Sequence, residues 1–370
     1  MIWGTNEKRD MKHLDWVLLI AMILVIGFGA LNIYSTTHTA SGIYFVKYQL
    51  IWAALGLGLV AFLIFTGYGT LRHFSPIIYW ASVALLLFND VTSRAVKGAN
   101  SWIKVGSRAI EPGEFVKIGL TLMLARTIED MEGEVNDFKH MLKLAVYTII
   151  PMFLIIIQPN LGLTMICFFI AFGILFISGI DLKVIYWGIA AAVPTCILIW
   201  FSGLLKSYQK DRIISFLNPE AYKQDIGFQL YHSIVGIGSG GIFGKGFLQG
   251  QMISNGFIPE VHTDFIFASV GEEWGLIGAI FLILLYSIII LRLVKRAKET
   301  PNTMGRLVCI GVASSLLFSV MQNIGMTVGI MPIAGITLPF MSYGGSSMLA
   351  NMIAVGLALS LSMRKNTINF

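Results

Sequence analysis

The sequence predicts an all-α polytopic membrane protein with about ten transmembrane helices and a large extracytoplasmic loop between the seventh and eighth. Of its 370 residues, 56% are hydrophobic and only 12% are charged, whereas soluble domains carry about 25% charged residues. Ten apolar runs approach or reach the length needed to cross a hydrocarbon layer about 30 Å thick. Positive charges collect in alternate loops, which is typical of loops that face the cytoplasm. Together these observations exclude a soluble globular domain.

The boundaries of the predicted spans follow the apolar runs. An even number of spans places both termini on one side of the membrane, and the positive charges place that side in the cytoplasm. The first run lacks a small-residue cleavage site, so we expect a retained span rather than a signal peptide. Cations cluster at 292–298, whereas the loop near 331–341 has no charge. The predicted spans are approximately 14–34, 45–66, 74–90, 113–128, 141–158, 161–179, 183–202, 264–293, 306–330 and 342–363.

Charge and cysteine content narrow the classes of function. The net charge of +6 fits cytoplasmic loops and contact with membrane lipid, so we expect no nucleic-acid partner. Cys167, Cys196 and Cys309 all lie in apolar runs, so no disulfide framework is predicted. Two histidines of the outer loop have no metal-ligand spacing around them. We expect residues 1–370 to form a single membrane domain, with its extracytoplasmic loop at about 202–263.

Two segments predicted to face outwards carry positive charge against the usual bias. One is the segment 88–113 and the other is the long loop 202–263. Cations on the outer face suggest an anionic ligand there, although long loops can also cross the membrane regardless of charge. A loop of about 60 residues with no structure of its own would be unusual, and such loops are often functional. The cations are Arg94, Lys97, Lys104 and Arg108 in the first segment, and Lys206, Lys210, Arg212, Lys223 and Lys245 in the second.

The fourth predicted span is too polar to stand alone in lipid. Glu114 and Lys117 are three residues apart near its start and therefore share one helix face, and only 118–125 is uninterrupted by charge. Neighbouring helices must bury this span, with the pair facing protein or a cavity. The alternative is a local structural ion pair with no further role.

Three carboxylates head the eighth predicted span. Read as one helix, the segment places Glu272 about 12 Å deeper than Asp264 and about 80° around the axis, with Glu273 on the far side. Charged groups inside a membrane segment are costly and by default indicate a functional site. The alternative is that Asp264 only favours a helix N-terminus and that both glutamates hydrogen-bond to neighbouring helices.

Two polar interruptions predict turns on the outer side. Residues 158–160, Gln-Pro-Asn, divide a long apolar stretch and predict a tight turn between the fifth and sixth spans. The run LPFMSYGGSS at 338–347 leads into the last span. Its hydroxyl groups, including those of Ser342 and Ser346, either line a pocket or cap that helix.

Several of these stretches together resemble the SEDS family of cell-wall glycosyltransferases over nearly the whole chain. The glycine-rich stretch at 237–246 and the stretch at 322–330 are closer to the rod-shape elongation branch than to the division-specific branch. The matching stretches are KGANSWI at 97–103, EPGEFVK at 111–117, QPNLG at 158–162, YQKDRI at 208–213, IGSGGIFGKG at 237–246, PEVHTDFIF at 259–267, EEWG at 272–275, QNIGMTVGI at 322–330 and LPFMSYGGSS at 338–347.

The resemblance implies an inverting glycosyltransferase that polymerises lipid II into glycan strands on the outer face of the cytoplasmic (inner) membrane. It implies transfer of a lipid-diphosphate-linked glycan to the 4-hydroxyl of an incoming lipid II, with release of undecaprenyl diphosphate. The implied partners are a class B penicillin-binding protein, which supplies the transpeptidase, and the elongation machinery. The resemblance assigns no organic cofactor, and it leaves a requirement for a divalent cation such as Mg²⁺ open.

The resemblance also implies roles for particular residues. Asp264 becomes the candidate base and Lys117 the first candidate to stabilise the departing diphosphate. Two departures stand out: the family usually has Gln-Pro-Ser-Glu where this chain has EPGE at 111–114, and Gln-Pro-Asp-Leu-Gly-Thr where it has QPNLGL at 158–163. Any role of an acid at Asn160 is therefore in question. The other candidates are Glu114, Lys97, Arg108, Arg212 and Lys245 around the diphosphate, and Glu272, Glu273, Ser342 and Ser346 in support.

Three rival functions remain open on the sequence: a lipid II flippase, a division-specific polymerase, and a catalytically silent scaffold. Transport favours ionisable groups near the bilayer midplane and along a route to both faces. The conspicuous charges of this chain crowd the outer half instead, which favours chemistry there.

Overall fold

The computed structural model describes residues 14–92, 102–105, 108–201, 207–222 and 224–363. These residues form a helical bundle with one small hairpin. The helices are α1 (Trp16–Ser41), α2 (Tyr44–Phe65), α3 (Tyr68–Thr92), α4 (Pro112–Asp130), α5 (Phe138–Ile157), α6 (Leu161–Ile177), α7 (Leu182–Phe201), α8 (Ser207–Leu217), α9 (Phe228–Gly240), α10 (Gln251–Ser254), α11 (Ile266–Glu299), α12 (Thr303–Thr327) and α13 (Gly345–Ser362), and the strands are β1 (Ile103–Val105) and β2 (Arg108–Ile110).

The predicted fold class is confirmed, since each predicted span coincides with a helix of this bundle. Within the described ranges, seven helices are long and apolar enough to cross a membrane: α1, α2, α3, α5, α11, α12 and α13. Helix α6 is apolar but shorter, and α4 carries several charges along its 19 residues. The number of ten spans therefore stays a prediction.

Helices α4, α12 and α13 form the centre of the bundle. In the most apolar stretch of α12 and of α13, 78% of the residues are buried inside the protein, against 17% for α5. Most of α4 is buried as well, including both of its charged residues near the start. The close approach of α3 to α4 depends on Gly119, where a Cβ atom would lie 2.6 Å from Ser82 Oγ. Neighbouring helices thus bury the polar fourth span, as the sequence requires.

Helix α11 is broken at Gly275, which has φ 64° and ψ −158°, a backbone region open essentially only to glycine. The sequence predicts one continuous helix here, and that expectation is wrong. Broken backbone is tolerated at membrane depth only where protein satisfies its polar groups, and the loop 241–246 does so. Four backbone hydrogen bonds join the two segments: Leu276 N to Gly241 O (3.0 Å), Ile277 N to Ile242 O (3.2 Å), Lys245 N to Glu272 O (3.0 Å) and Gly246 N to Glu273 O (3.0 Å).

The two segments that the sequence predicts to face outwards contain regular structure. The long loop 202–263 includes α8, α9 and α10, and Ser233 in α9 donates its hydroxyl to the carbonyl of Thr327 at the end of α12 (2.8 Å). The other outer segment contains the antiparallel hairpin β1–β2, which is a minor exception to the all-α prediction. The predicted turn at 158–160 is confirmed between α5 and α6, and its outward orientation stays a prediction.

Candidate active site

The start of α4 carries the first charged pair of the site. Proline in its first turn suits a helix N-terminus, where its missing N–H has no partner to lose. Lys117 Nζ lies 2.7 Å from Glu114 Oε2, as the three-residue spacing predicts, and both side chains are buried. Within the described part of the chain, this Glu114 oxygen accepts no hydrogen bond of good geometry. The two groups therefore form a close ion pair, and an ammonium group carries three donors, more than one carboxylate oxygen uses.

Glu111, which the sequence analysis did not single out, lies immediately before α4. Its carboxylate oxygen Oε1 accepts a hydrogen bond from Asn160 Nδ2 at 2.9 Å. Its backbone N–H donates to Ser346 Oγ at 3.1 Å. Asn160 caps α6, because its Oδ1 accepts from the backbone N–H of Leu163 (3.1 Å). The beginnings of α4, α6 and α13 are thus joined at one point.

Asp264 lies two residues before α11, not inside the helix as the sequence prediction has it. Two neighbouring elements hold the backbone here. Asn323 of α12 donates its side-chain amide to the Asp264 carbonyl (2.8 Å), and Ser342 Oγ donates to the Thr263 carbonyl (2.6 Å). The position of the Asp264 carboxylate is therefore set by the end of α12 and by the segment before α13.

The Asp264 carboxylate and the Arg212 guanidinium meet at Gly335. A Cβ atom on Gly335 would lie 3.6 Å from Asp264 Oδ2 and 3.9 Å from Arg212 Nη1. Gly335 has φ +66°, which favours glycine, and the missing side chain allows both groups to approach. One acid and one cation from separate elements therefore share the same small volume.

The electrostatic environment of Glu111 connects the two parts of the site. Burial of its carboxyl, followed by the negative charge of Glu114, raises the pKa of Glu111 to about 8. Lys117 lowers this pKa, Asp264 raises it, and the hydrogen bond from Asn160 lowers it. Charges on Glu114, Lys117 and Asp264 therefore lie near enough to act on one carboxyl. At neutral pH this carboxyl is protonated.

The predicted site residues Glu272 and Glu273 are buried, and they form a separate group with the half-buried Lys245. Glu272 Oε1 accepts from Lys245 Nζ (2.8 Å) and from the backbone N–H of Met252 (3.0 Å). Glu273 accepts from the hydroxyl of Ser35 in α1. These contacts hold the outer loop and α1 against α11. They favour the structural alternative for the two glutamates, and they engage Lys245 in an ion pair.

The other predicted site residues have different outcomes. Ser342 and Ser346 bind backbone groups beside Asp264 and Glu111, and neither caps α13, whose N-cap residue is Gly344. Lys97 lies outside the described residues, and of Arg108 only the backbone in β2 is described. Both cations stay predictions. Over the described ranges, no group of three His, Cys, Asp or Glu side chains has metal-binding geometry, and the Mg²⁺ question stays open.

Signals for the missed part of the site were present in the sequence. Glu111 and Asn160 are both departures from the usual family pattern, but a pattern read along the chain gives no reason to bring them together. Arg212 was one of several cations in a long loop. Arg212 comes close to Asp264 at Gly335. Gly335 lies in a segment without charge, so nothing in the sequence signals a site there.

Comparison with known proteins places this geometry in context. The family model for the cell cycle proteins FtsW, RodA and SpoVE matches residues 10–367. The chain is 30% identical to the peptidoglycan glycosyltransferase RodA of Treponema pallidum, over 96% of this chain and 99% of that protein. It is 31% identical to the peptidoglycan glycosyltransferase MrdB of Escherichia coli K12, over 98% of each chain. It is also 32% identical to stage V sporulation protein E of Bacillus subtilis, over 94% and 96% of the two chains.

Solved structures are similar over the same extent. One is a chain from a peptidoglycan synthase complex in which polymerization and crosslinking are structurally coordinated, with a TM-score of 0.79 and 30% identity over 94% of this chain and 97% of that one. Another is the rod shape determining protein RodA of Thermus thermophilus, with a TM-score of 0.71 and 28% identity over 94% and 96% of the two chains.

Proposed function

Because the chain belongs to the FtsW, RodA and SpoVE family, we propose that it is a peptidoglycan glycosyltransferase that polymerises lipid II during cell elongation and shape maintenance. The observation that carries the proposal is the meeting of Asp264 with Arg212 at Gly335, near enough to Glu111, Glu114 and Lys117 for their charges to interact. Glycosyl transfer from a diphosphate needs both a base and cations. This site offers both.

In the proposed reaction, the 4-hydroxyl oxygen of the acceptor lipid II attacks the anomeric carbon of the donor glycan. The new carbon–oxygen bond forms as the bond to the diphosphate breaks, and configuration is inverted. Asp264 accepts the hydroxyl proton, a role that typically contributes about 10²–10⁴-fold to the rate. The leaving undecaprenyl diphosphate takes the bonding electron pair and its added negative charge.

Lys117 and Arg212 supply the positive charge that the leaving diphosphate needs. Preorganised cations in a site with little water stabilise developing negative charge more strongly than they do in bulk water. Lys117 is buried beside Glu114 on α4, whereas Arg212 belongs to α8 and lies near Asp264 at Gly335. The two cations therefore contact the diphosphate from different elements.

The membrane orientation is supported by a second cluster at the opposite ends of the helices. Asp15, which caps the start of α1, is bound by Arg292 and Arg296 at the end of α11 (N···O 2.8–2.9 Å). This end of the bundle carries the cation-rich segment that the positive-inside rule assigns to the cytoplasm. The active site then faces outwards, in a multi-pass protein of the cytoplasmic membrane with both termini inside.

The proposed partners are the lipid-linked substrates, membrane lipid, and a class B penicillin-binding protein of the elongation machinery. A similar chain comes from a complex that coordinates polymerization with crosslinking. A flippase is the second candidate from another class. The ionisable groups of the site lie near the outer ends of α4, α6 and α11 rather than along a path through the bundle, which favours the polymerase.

Lipid II polymerisation by the purified protein in detergent tests the proposal, because detergent leaves no second compartment for transport. We expect wild-type protein to produce glycan strands and Asp264→Asn to lose activity by about 10²–10⁴-fold. Asp225→Asn, the same change at an exposed residue of the outer loop, is the matched control and should stay active. A near wild-type rate for Asp264→Asn would exclude Asp264 as the base, and a wild type that stays inactive with its transpeptidase partner present would favour the flippase.

A further inference from the structure

Glu111 and Asn160 form a contact that the proposed reaction does not use. Asn160 is engaged on both sides of its amide: Oδ1 caps α6 by accepting from Leu163 N–H, and Nδ2 donates to Glu111. The cap fixes the orientation of the amide, because only its oxygen can accept from a backbone N–H. Glu111 must therefore offer an acceptor oxygen at this position.

We propose that Glu111 is a positioning residue, whose hydrogen bond with Asn160 joins the beginnings of α4 and α6 and so holds Lys117 at the site. Lys117 lies less than two turns into α4, so a shift of the helix start moves its ammonium group directly. Gly113, between the two residues, approaches α6 so closely that a Cβ atom would lie 2.0 Å from Leu163 Cδ2. The two helix ends are in close contact, and the hydrogen bond sets how they are oriented.

The two residues of this contact are also the places where the sequence departs from its family pattern. The usual pattern has an amide at 111 and an acid at 160, whereas this chain has the acid at 111 and the amide at 160. The hydrogen bond of 2.9 Å explains how both departures coexist, because an acid–amide pair can form with either residue as the acid. In this chain the acid lies at 111 and the amide at 160, and the two side chains are hydrogen-bonded.

The position of the acid, at 111 and not at 160, changes the pH at which its carboxyl loses its proton. An acidic residue at position 160 would accept the hydrogen bond from the Leu163 N–H. That bond and the helix N-terminus both favour the charged form of its carboxylate. Within the described residues, the Glu111 side chain makes no cap hydrogen bond with α4, and it shares its surroundings with Glu114 and Asp264. Its pKa is raised to about 8 by burial first and then by Glu114. The groups that face it are Glu114 and Lys117 on α4, Asp264 before α11, Asn160 on α6 and, through the backbone, Ser346 on α13.

The direction of the pH effect follows from that environment. Below pH about 8 the Glu111 carboxyl is protonated and neutral. Above it the carboxyl becomes an anion beside Lys117, where it competes with an anionic substrate. We therefore expect the rate of the wild-type enzyme to fall as pH rises through about 8. Stability falls over a lower window, because an unfolded glutamate loses its proton near 4.5 whereas the folded state keeps it until about 8.

The first test compares Glu111→Gln with Glu111→Ala in lipid II polymerisation from pH about 6 to about 9. Gln keeps the acceptor oxygen and cannot ionise, so we expect it to retain most of the neutral-pH rate and to lose the alkaline fall. Ala removes the acceptor, and we expect its rate to drop on the order of 10- to 100-fold, because small misplacements in a site cost this much. Glu220→Gln, at an exposed outer residue, is the control and should follow wild type.

The second test changes the other side of the contact. Asn160→Ser keeps an N-cap oxygen for α6 but removes the amide donor, so it should match Glu111→Ala, and combining the two should add no further loss. Asn160→Asp alone places two carboxyls in contact and should lower the rate. The exchanged pair, Glu111→Gln with Asn160→Asp, should recover activity relative to Asn160→Asp.

The rate measurements rest on the proposed polymerase activity. The outcomes below therefore distinguish a failure of the positioning role of Glu111 from a failure of that activity. The inference is overturned if Gln at 111 is as inactive as Ala, if Ala behaves as wild type, or if the exchanged pair recovers nothing. Thermal denaturation of the same variants needs no substrate. In that measurement, the thermal midpoint of Glu111→Gln relative to wild type should increase as pH rises from about 4.5 to about 8. An inactive wild type with this thermal pattern would reject the polymerase and keep the contact.

Discussion

At the scale of single residues, the Glu114–Lys117 pair could serve either the structure of the bundle or the binding of substrate. The two groups are 2.7 Å apart and both are buried. Removing one member of a buried pair strands the other charge and typically costs about 3–5 kcal/mol, whereas replacing both by apolar residues is often neutral. A structural role and a substrate-binding role therefore respond differently to single and double substitutions.

We expect the double variant Glu114→Leu, Lys117→Met to fold with near wild-type stability and to be inactive. The apolar pair removes the desolvation cost, but no cation then meets the diphosphate from α4. Lys117→Arg should keep part of the activity, because it retains the charge, and Lys117→Met essentially none. Thermal stability and lipid II polymerisation, measured side by side, check this prediction.

The single variants provide the comparison for that experiment. Glu114→Leu alone should be less stable than the double variant, because it leaves the Lys117 ammonium buried without its carboxylate. If the double variant is both stable and active, Lys117 is structural and the diphosphate is held by other cations, with Arg212 the first candidate.

At the scale of elements, the break in α11 determines how the outer loop attaches to the bundle. Gly275 interrupts the helix, and the loop 241–246 supplies the hydrogen-bond partners that the break exposes. The side chains continue the attachment, since Glu272 and Glu273 bind Lys245 and Ser35 on either side. The break, the loop and α1 therefore form one unit at the outer end of the protein.

We expect Gly275→Ala to destabilise the protein and to loosen this unit. A non-glycine residue in this backbone region costs about 1–3 kcal/mol, and the new Cβ atom would lie 2.3 Å from Gly244 N. The thermal midpoint should fall, and limited proteolysis should cut the loop 241–246 faster. Gly238→Ala is the control, because a Cβ atom there has no neighbour within 4 Å. Equal stability of the two variants would contradict this reading of the break.

At the scale of the whole molecule, the two ends of the bundle carry different sets of charged residues. The end that we propose to face the cytoplasm is held by ion pairs such as Asp15 with Arg292 and Arg296, and Arg72 with Glu129 and Asp130. The opposite end collects the proposed catalytic groups and the loop 202–263. A partner that regulates the enzyme from outside would therefore act on the loop rather than on the ion-paired end.

We expect a single-pass membrane protein with an outer transpeptidase domain to co-purify with this chain and to raise its rate of lipid II polymerisation. The outer position of the site and of its loop supports such an arrangement. Purification from native membranes, followed by assays with and without the partner, checks it. Repeated isolation of a fully active chain without any such protein would count against the prediction.

The sequence predicts the helices well because an apolar run long enough to cross lipid has few other structures open to it. The burial of α4 is equally predictable, since Glu114 and Lys117 cannot face lipid. The break at Gly275 is not, because it depends on a loop about thirty residues away that offers no local signal. The same holds for Glu111 with Asn160 and for Arg212 with Asp264, which meet only after the bundle forms.

The attachment of loop 241–246 to α11 also constrains the order in which the protein is made. The loop 241–246 is synthesised before Gly275, so it is the first of the two segments to be available. Until the two meet, the polar backbone at the break has no partner in lipid, where each such group costs several kcal/mol. We therefore expect the two segments of α11 to reach their final arrangement only once the loop 241–246 has docked at the break.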